Sequence, residues 1–248
     1  MSETDLVKMT RLFDLHCLQI GDNLPLHTFS KERLYNFRSL IQEHKIRLEV
    51  GARKLTAENL QRYIELSEFL DAPLLRFIID GDHYEPDIET IKSLLKDYLP
   101  ELRKRNLILG IENHDRLKAR ELALIMESVN SPNVGICLDC VNSIGAGEGL
   151  EYVATLLAPF TVNLHIKDFK SERLSHKMGF TVTGTEVGKG LCDVALLMEK
   201  LQPFNRCQSA VLEQWVPPAE LVSITVEKEQ TWAAEGIRYL KDLPYFKK

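Results

Sequence analysis

One recurring pattern, a short β-rich run followed by an amphipathic helical stretch, constrains this chain more than any other feature. Candidate strands fall at 17–22, 46–51, 74–80, 107–113, 134–139, 162–168 and 210–215, so that successive starts lie 29, 28, 33, 27, 28 and 48 positions apart. A period near 30 is one βα unit per step, and repeated units of that kind build parallel sheets. The stretches between them carry helix signals. Within 29–44, Phe29, Leu34, Phe37, Leu40 and Ile41 share one face and Ser30 is placed to cap the start, while Thr56 is placed the same way ahead of Ala57. At 248 residues, 44% of them hydrophobic, the chain is long enough to close such units around one core. The expected fold is therefore α/β, a TIM-type (β/α) barrel spanning 1–248 as a single domain, with its chemistry at the C-terminal strand ends; a doubly wound sheet is the alternative.

Seven strands are readable where a complete barrel has eight, and the chain opens with a helical pattern over 6–16 instead of a strand. The first strand is expected to be missing, which leaves truncation, a partner chain filling the gap, or an open edge; an unpaired edge invites association, so a homo-oligomer is left open. The last interval is longer because of residues 169–190, a polar and Gly-rich segment read as a long loop over the barrel mouth.

Charge and composition exclude several roles. A net charge of -5 gives no overall electrostatic reason to bind nucleic acid. No apolar run approaches the roughly 20 residues needed to cross a bilayer. The N-terminus carries acid before any apolar stretch, so no secretory leader is read there and a cytoplasmic location is expected. Five scattered cysteines, Cys17, Cys137, Cys140, Cys192 and Cys207, are expected to be reduced thiols.

Four consecutive strand ends each carry a residue able to ligate a metal: Glu112, Asp139, His165 and Glu213. A barrel converges those ends on one mouth, and three carboxylates with one imidazole form a hard O/N site suited to Mn²⁺ or Mg²⁺, with Co²⁺ or Zn²⁺ also compatible. Lys167 follows His165 at an interval that sends both side chains the same way, and His114 bears the same relation to Glu112. Glu49, His114, Asn142 and Lys167 are the expected substrate contacts. The segment 183–190, TGTEVGKG, has the look of a phosphate loop but carries Thr183 where glycine is required and Gly190 where Ser or Thr is required, so it is not one.

The segments ILGIENHD, GICLDCVNS, NLHIKDF, GTEVGKGLCDVALLMEKL and VLEQW resemble the xylose isomerase-like TIM barrels, the sugar isomerase/epimerase-like superfamily that also contains inosose dehydratases and an apurinic endonuclease. The resemblance implies a divalent metal held by Glu112, Asp139, His165 and Glu213, with Glu112 and Glu213 also moving protons on opposite faces of a bound sugar, keto-sugar or polyol. It implies a metal-dependent isomerase or epimerase abstracting a proton next to a carbonyl; a lyase of the inosose dehydratase kind and a truncated, non-catalytic barrel are the alternatives. Many metal-binding members carry His three residues after the Asp ligand, where this chain has Asn142. That departure argues against an endonuclease-type zinc cluster.

Overall fold

The computed structural model describes residues 1–247. Strands β1 (Cys17–Ile20), β2 (Arg47–Arg53), β3 (Leu74–Ile78), β4 (Ile108–Glu112), β5 (Val134–Asp139) and β6 (Thr161–Ile166) run in chain order through a parallel sheet. β7 (Asp168–Arg173) and β8 (Phe180–Thr185) form a separate antiparallel pair, and β9 (Ala210–Leu212) returns to the main sheet beside β6. The helices are α1 (Glu3–Leu12), α2 (Lys31–Glu43), α3 (Ala57–Phe69), α4 (Ile88–Lys104), α5 (Ala119–Val129), α6 (Leu150–Leu157), α7 (Val194–Leu201) and α8 (Val222–Asp242). This is the α/β TIM-barrel-like arrangement anticipated from the period, with seven parallel strands. Among the described residues α1 precedes the first strand, and β1 and β9 each have a single neighbour in the sheet.

Local chemistry explains the element boundaries. Ser30 and Thr56 cap α2 and α3 by accepting the N–H of Arg33 and Asn59, as their positions predict. All five residues of β3 and all six of β5 are buried, the expected state of parallel strands covered on both faces. Burying each large side chain there, such as Phe77 or Leu138, stabilises the fold by about 1.5–3 kcal/mol.

Two expectations need correction. Residues 169–190 are not a plain loop: β7 and β8 pair from Asp168↔Thr185 to Arg173↔Phe180, a hairpin supported by the β-branched run Thr181-Val182-Thr183 that the polar composition had masked. The last parallel strand is short, so Glu213 stands just beyond Leu212, anchored by its N–H to the carbonyl of Ile166 at 3.0 Å.

The contacts of the chain group into two compact units. The first comprises 1–113, 120–137 and 160–162, and the second comprises 114–119, 138–159 and the chain from Asn163 onward. In the first, β1 to β4 pair in continuous register, for example Gly51↔Arg76 and Arg76↔Gly110. In the second, β6 pairs with β9 through His165↔Val211.

Candidate metal centre

The second unit gathers Asp139, Asn142, His165, Lys167 and Glu213. Asp139 closes β5 and is fully buried. One of its carboxylate oxygens, Oδ1, accepts the N–H groups of Val141 and Asn142 at 2.8 and 2.9 Å, which fixes the direction of the other. That second oxygen, Oδ2, lies 2.9 Å from Lys167 Nζ and 4.0 Å from His165 Nδ1. His165, near the end of β6, has Nδ1 2.7 Å from Glu213 Oε2, and Glu213 Oε1 is 2.9 Å from Lys167 Nζ. Ligand atoms of Asp139, His165 and Glu213 all lie within 4.8 Å of one another.

The electrostatics follow from this crowding. Burial works to raise the Glu213 carboxyl, but the hydrogen bond with His165 and the charges of His165 and Lys167 outweigh it and hold the group well below the usual carboxylate range. Burial would likewise lower Lys167, yet the charges of Asp139 and Glu213 win and push it above its ordinary value. Lys167 is therefore a committed cation. Asn142 Oδ1, 3.4 Å from Nζ, is its third oxygen neighbour.

The donor set suits a divalent ion. Two carboxylates and one imidazole converge, and a cationic nitrogen already occupies the position between the carboxylates, so the charge and size of the position match a small cation.

Glu112, at the end of β4, belongs to the first unit. It is buried and paired with Arg76, which rises from the middle of β3. Arg76 Nη1 lies 3.6 Å from Asp22 Oδ1, and Asp22 Oδ2 accepts from Arg53 Nε at 2.7 Å. The result is an alternating chain, Arg53–Asp22–Arg76–Glu112, drawn from the ends of β1, β2 and β4 and the middle of β3. Arg76 and Asp22 were not among the sequence candidates, though a lone arginine inside the apolar run 74–79 was the available signal.

Other expected contacts have definite neighbours. Glu49 is fully buried in the first half of β2, 3.3 Å from Arg47 and hydrogen-bonded by Gln19 at 3.1 Å. His114 lies 3.3 Å from Asp115 and is 37% exposed. Asp168 is not among the expected substrate contacts. Its buried carboxylate accepts the backbone N–H groups of Phe169, Gly188, Gly190 and Cys192, each at 2.8–2.9 Å. The segment with the look of a phosphate loop thus does wrap an anion, and the anion is a side chain of the chain itself.

Comparison with known proteins agrees with this architecture. The family described as Xylose isomerase-like TIM barrel matches residues 18–243. The 3-oxo-isoapionate decarboxylase of Pectobacterium atrosepticum is 32% identical over 222 residues, covering 90% of this chain and 81% of that protein. D-psicose 3-epimerase from Clostridium cellulolyticum superposes with a TM-score of 0.74 at 14% identity, covering 97% of this chain and 92% of the other. A xylose isomerase-like barrel from Mycobacterium smegmatis, solved with magnesium, gives a TM-score of 0.72 at 11% identity over 96% of this chain and 90% of the other. No helix among the described residues is long and apolar enough to cross a membrane. A profile match over nearly the whole chain, together with the 32% relative, makes this chain a member of the xylose isomerase-like TIM barrel family.

Proposed function

We propose that the chain is a divalent-metal-dependent enzyme that converts a small 3-oxo sugar acid to an enediolate by decarboxylation, with isomerisation or epimerisation of a keto-sugar as the second reading. The observation that carries the proposal is the convergence of Asp139, His165 and Glu213 on one buried point shared with the Lys167 ammonium. The order of the strand ends adds Glu112 as a fourth ligand. Mn²⁺ or Mg²⁺ fits this set, and the magnesium of the Mycobacterium smegmatis barrel supports the choice. Such an ion supplies Lewis acidity where negative charge develops on substrate oxygen.

The decarboxylase relative supports carbon–carbon cleavage. In that reaction the bond to the substrate carboxylate breaks, its electron pair passes toward the neighbouring carbonyl, CO₂ departs and a proton returns to carbon. Lys167 serves as a positive charge near the reacting anion. The second reading is favoured by Glu213. In it Glu213, beside His165 and Lys167, is the carboxylate that abstracts a proton next to a carbonyl, with Glu112 returning the proton on the opposite face. His114 and Asn142 remain proposed substrate contacts, as does Glu49 on the sequence pattern alone.

Two assays with Mn²⁺ or Mg²⁺ separate these readings: CO₂ release from 3-oxo sugar acids, and deuterium uptake from D₂O into ketoses such as D-psicose. Metal-dependent CO₂ release, reduced about 100-fold or more in Glu213→Gln and Glu112→Gln, is the expected result. Deuterium uptake without CO₂ moves the assignment to isomerase or epimerase. Silence in both assays with every metal returns the chain to the non-catalytic alternative.

A further inference from the structure

Lys167 pairs with one oxygen of each of the two carboxylates that would hold a metal at this centre. Its ammonium is 2.9 Å from Asp139 Oδ2 and 2.9 Å from Glu213 Oε1, with only 11% of its side chain exposed. The backbone around it is pinned. Cys140 Sγ lies 3.2 Å from Lys167 N and 3.1 Å from Lys167 O, so the main chain at 167 is held and any movement of the ammonium must come from rotation about the bonds of its four-carbon stem. Asn142 Oδ1, at 3.4 Å, completes an all-oxygen cradle for the ammonium.

We propose that Lys167 is a built-in competitor for the metal: a divalent ion binds Asp139, His165 and Glu213 by displacing the Lys167 ammonium, so that metal loading and release of this cation are one event. The inference rests on the metal-enzyme reading above. Its physical basis is charge. Asp139 and Glu213 together carry two negative charges and Lys167 offsets one, while the charge of Glu112 is already matched by Arg76, so a divalent ion added beside an unmoved ammonium leaves an excess of positive charge within a few ångströms. Displacement removes that repulsion and frees the Asp139 and Glu213 carboxylates for the metal. The freed ammonium, on a flexible stem two residues past His165, becomes the cation that meets an anionic substrate group. Metal and acidic substrate thereby bind in that order.

The test compares Mn²⁺ binding by calorimetry in the wild type, Lys167→Gln and Lys167→Arg, with thermal melting in chelator beside it. Lys167→Gln keeps polar groups against Asp139 and Glu213 and is the variant expected to fold. It should bind one Mn²⁺ about tenfold more tightly than wild type and melt lower in chelator, because the competing charge is gone. Lys167→Arg keeps the charge and should bind no more tightly than wild type. Equal or weaker binding by Lys167→Gln, with one Mn²⁺ still bound by wild type, overturns the competitor role and leaves the metal reading standing. No Mn²⁺ bound by any of the three overturns both.

Discussion

Asp168 Oδ2 accepts the backbone N–H of Gly190 at 2.9 Å, across a loop that resembles a phosphate loop in sequence but lacks its required residues. The same carboxylate takes three further amides, from Phe169, Gly188 and Cys192, and it is 1% exposed. The turn between β8 and α7 is thus organised around a side chain fixed at the foot of β7.

Asp168→Ala should therefore destabilise the protein by about 3 kcal/mol, since it removes the one acceptor shared by four backbone donors, that of Cys192 among them being buried. In a chain of this size that corresponds to a melting temperature roughly 10 °C lower. Calorimetric melting checks it, and a fall under about 2 °C would show that water satisfies these amides equally well.

Gly184→Ala should weaken metal binding while leaving the fold intact. A Cβ at 184 would run into the carbonyl of Trp215, two residues past Glu213, so the segment carrying that ligand must move. Mn²⁺ affinity measured by calorimetry should drop several-fold, with the far-UV circular dichroism unchanged.

Glu213 gives stability a specific pH dependence in chelator. Its carboxyl is depressed in the folded state, so between the folded and unfolded values the unfolded chain binds more protons, and stability falls as pH falls. The wild type should exceed Glu213→Gln in urea midpoint at pH 7, and the gap should narrow steadily below about pH 4.5, the ordinary glutamate value. A gap that stays constant down to pH 3 would mean the depression is absent.

Arg76→Met should cost about 3–5 kcal/mol, because it leaves Glu112 buried without its cation. The double variant Arg76→Met/Glu112→Leu should recover most of the loss, since two apolar groups replace the pair. Urea unfolding of the single and double variants decides it. Failure of the double variant to recover would assign the loss to the wider chain through Asp22 and Arg53.

The parallel sheet, the caps at Ser30 and Thr56, and the placing of Glu112, Asp139 and His165 at or near strand ends are legible in the sequence, because each is a local property: a repeat length, an amphipathic face, a residue type at a boundary; Glu213 falls just past its strand instead. The β7–β8 hairpin is not legible there, because its strands are polar and held by each other and not by a buried face. Which charge meets which was also beyond local reading. Lys167 bridges Asp139 and Glu213, Arg76 binds Glu112, and Asp168 is enclosed by the amides of 188–192; each pairing joins segments far apart in the chain, and their proximity is set by strand register and packing. Repeat and pattern thus specify the scaffold and the ligand types, whereas the cation each buried carboxylate holds is decided only when distant strand ends are brought together, where burial leaves an unpaired charge too costly to persist.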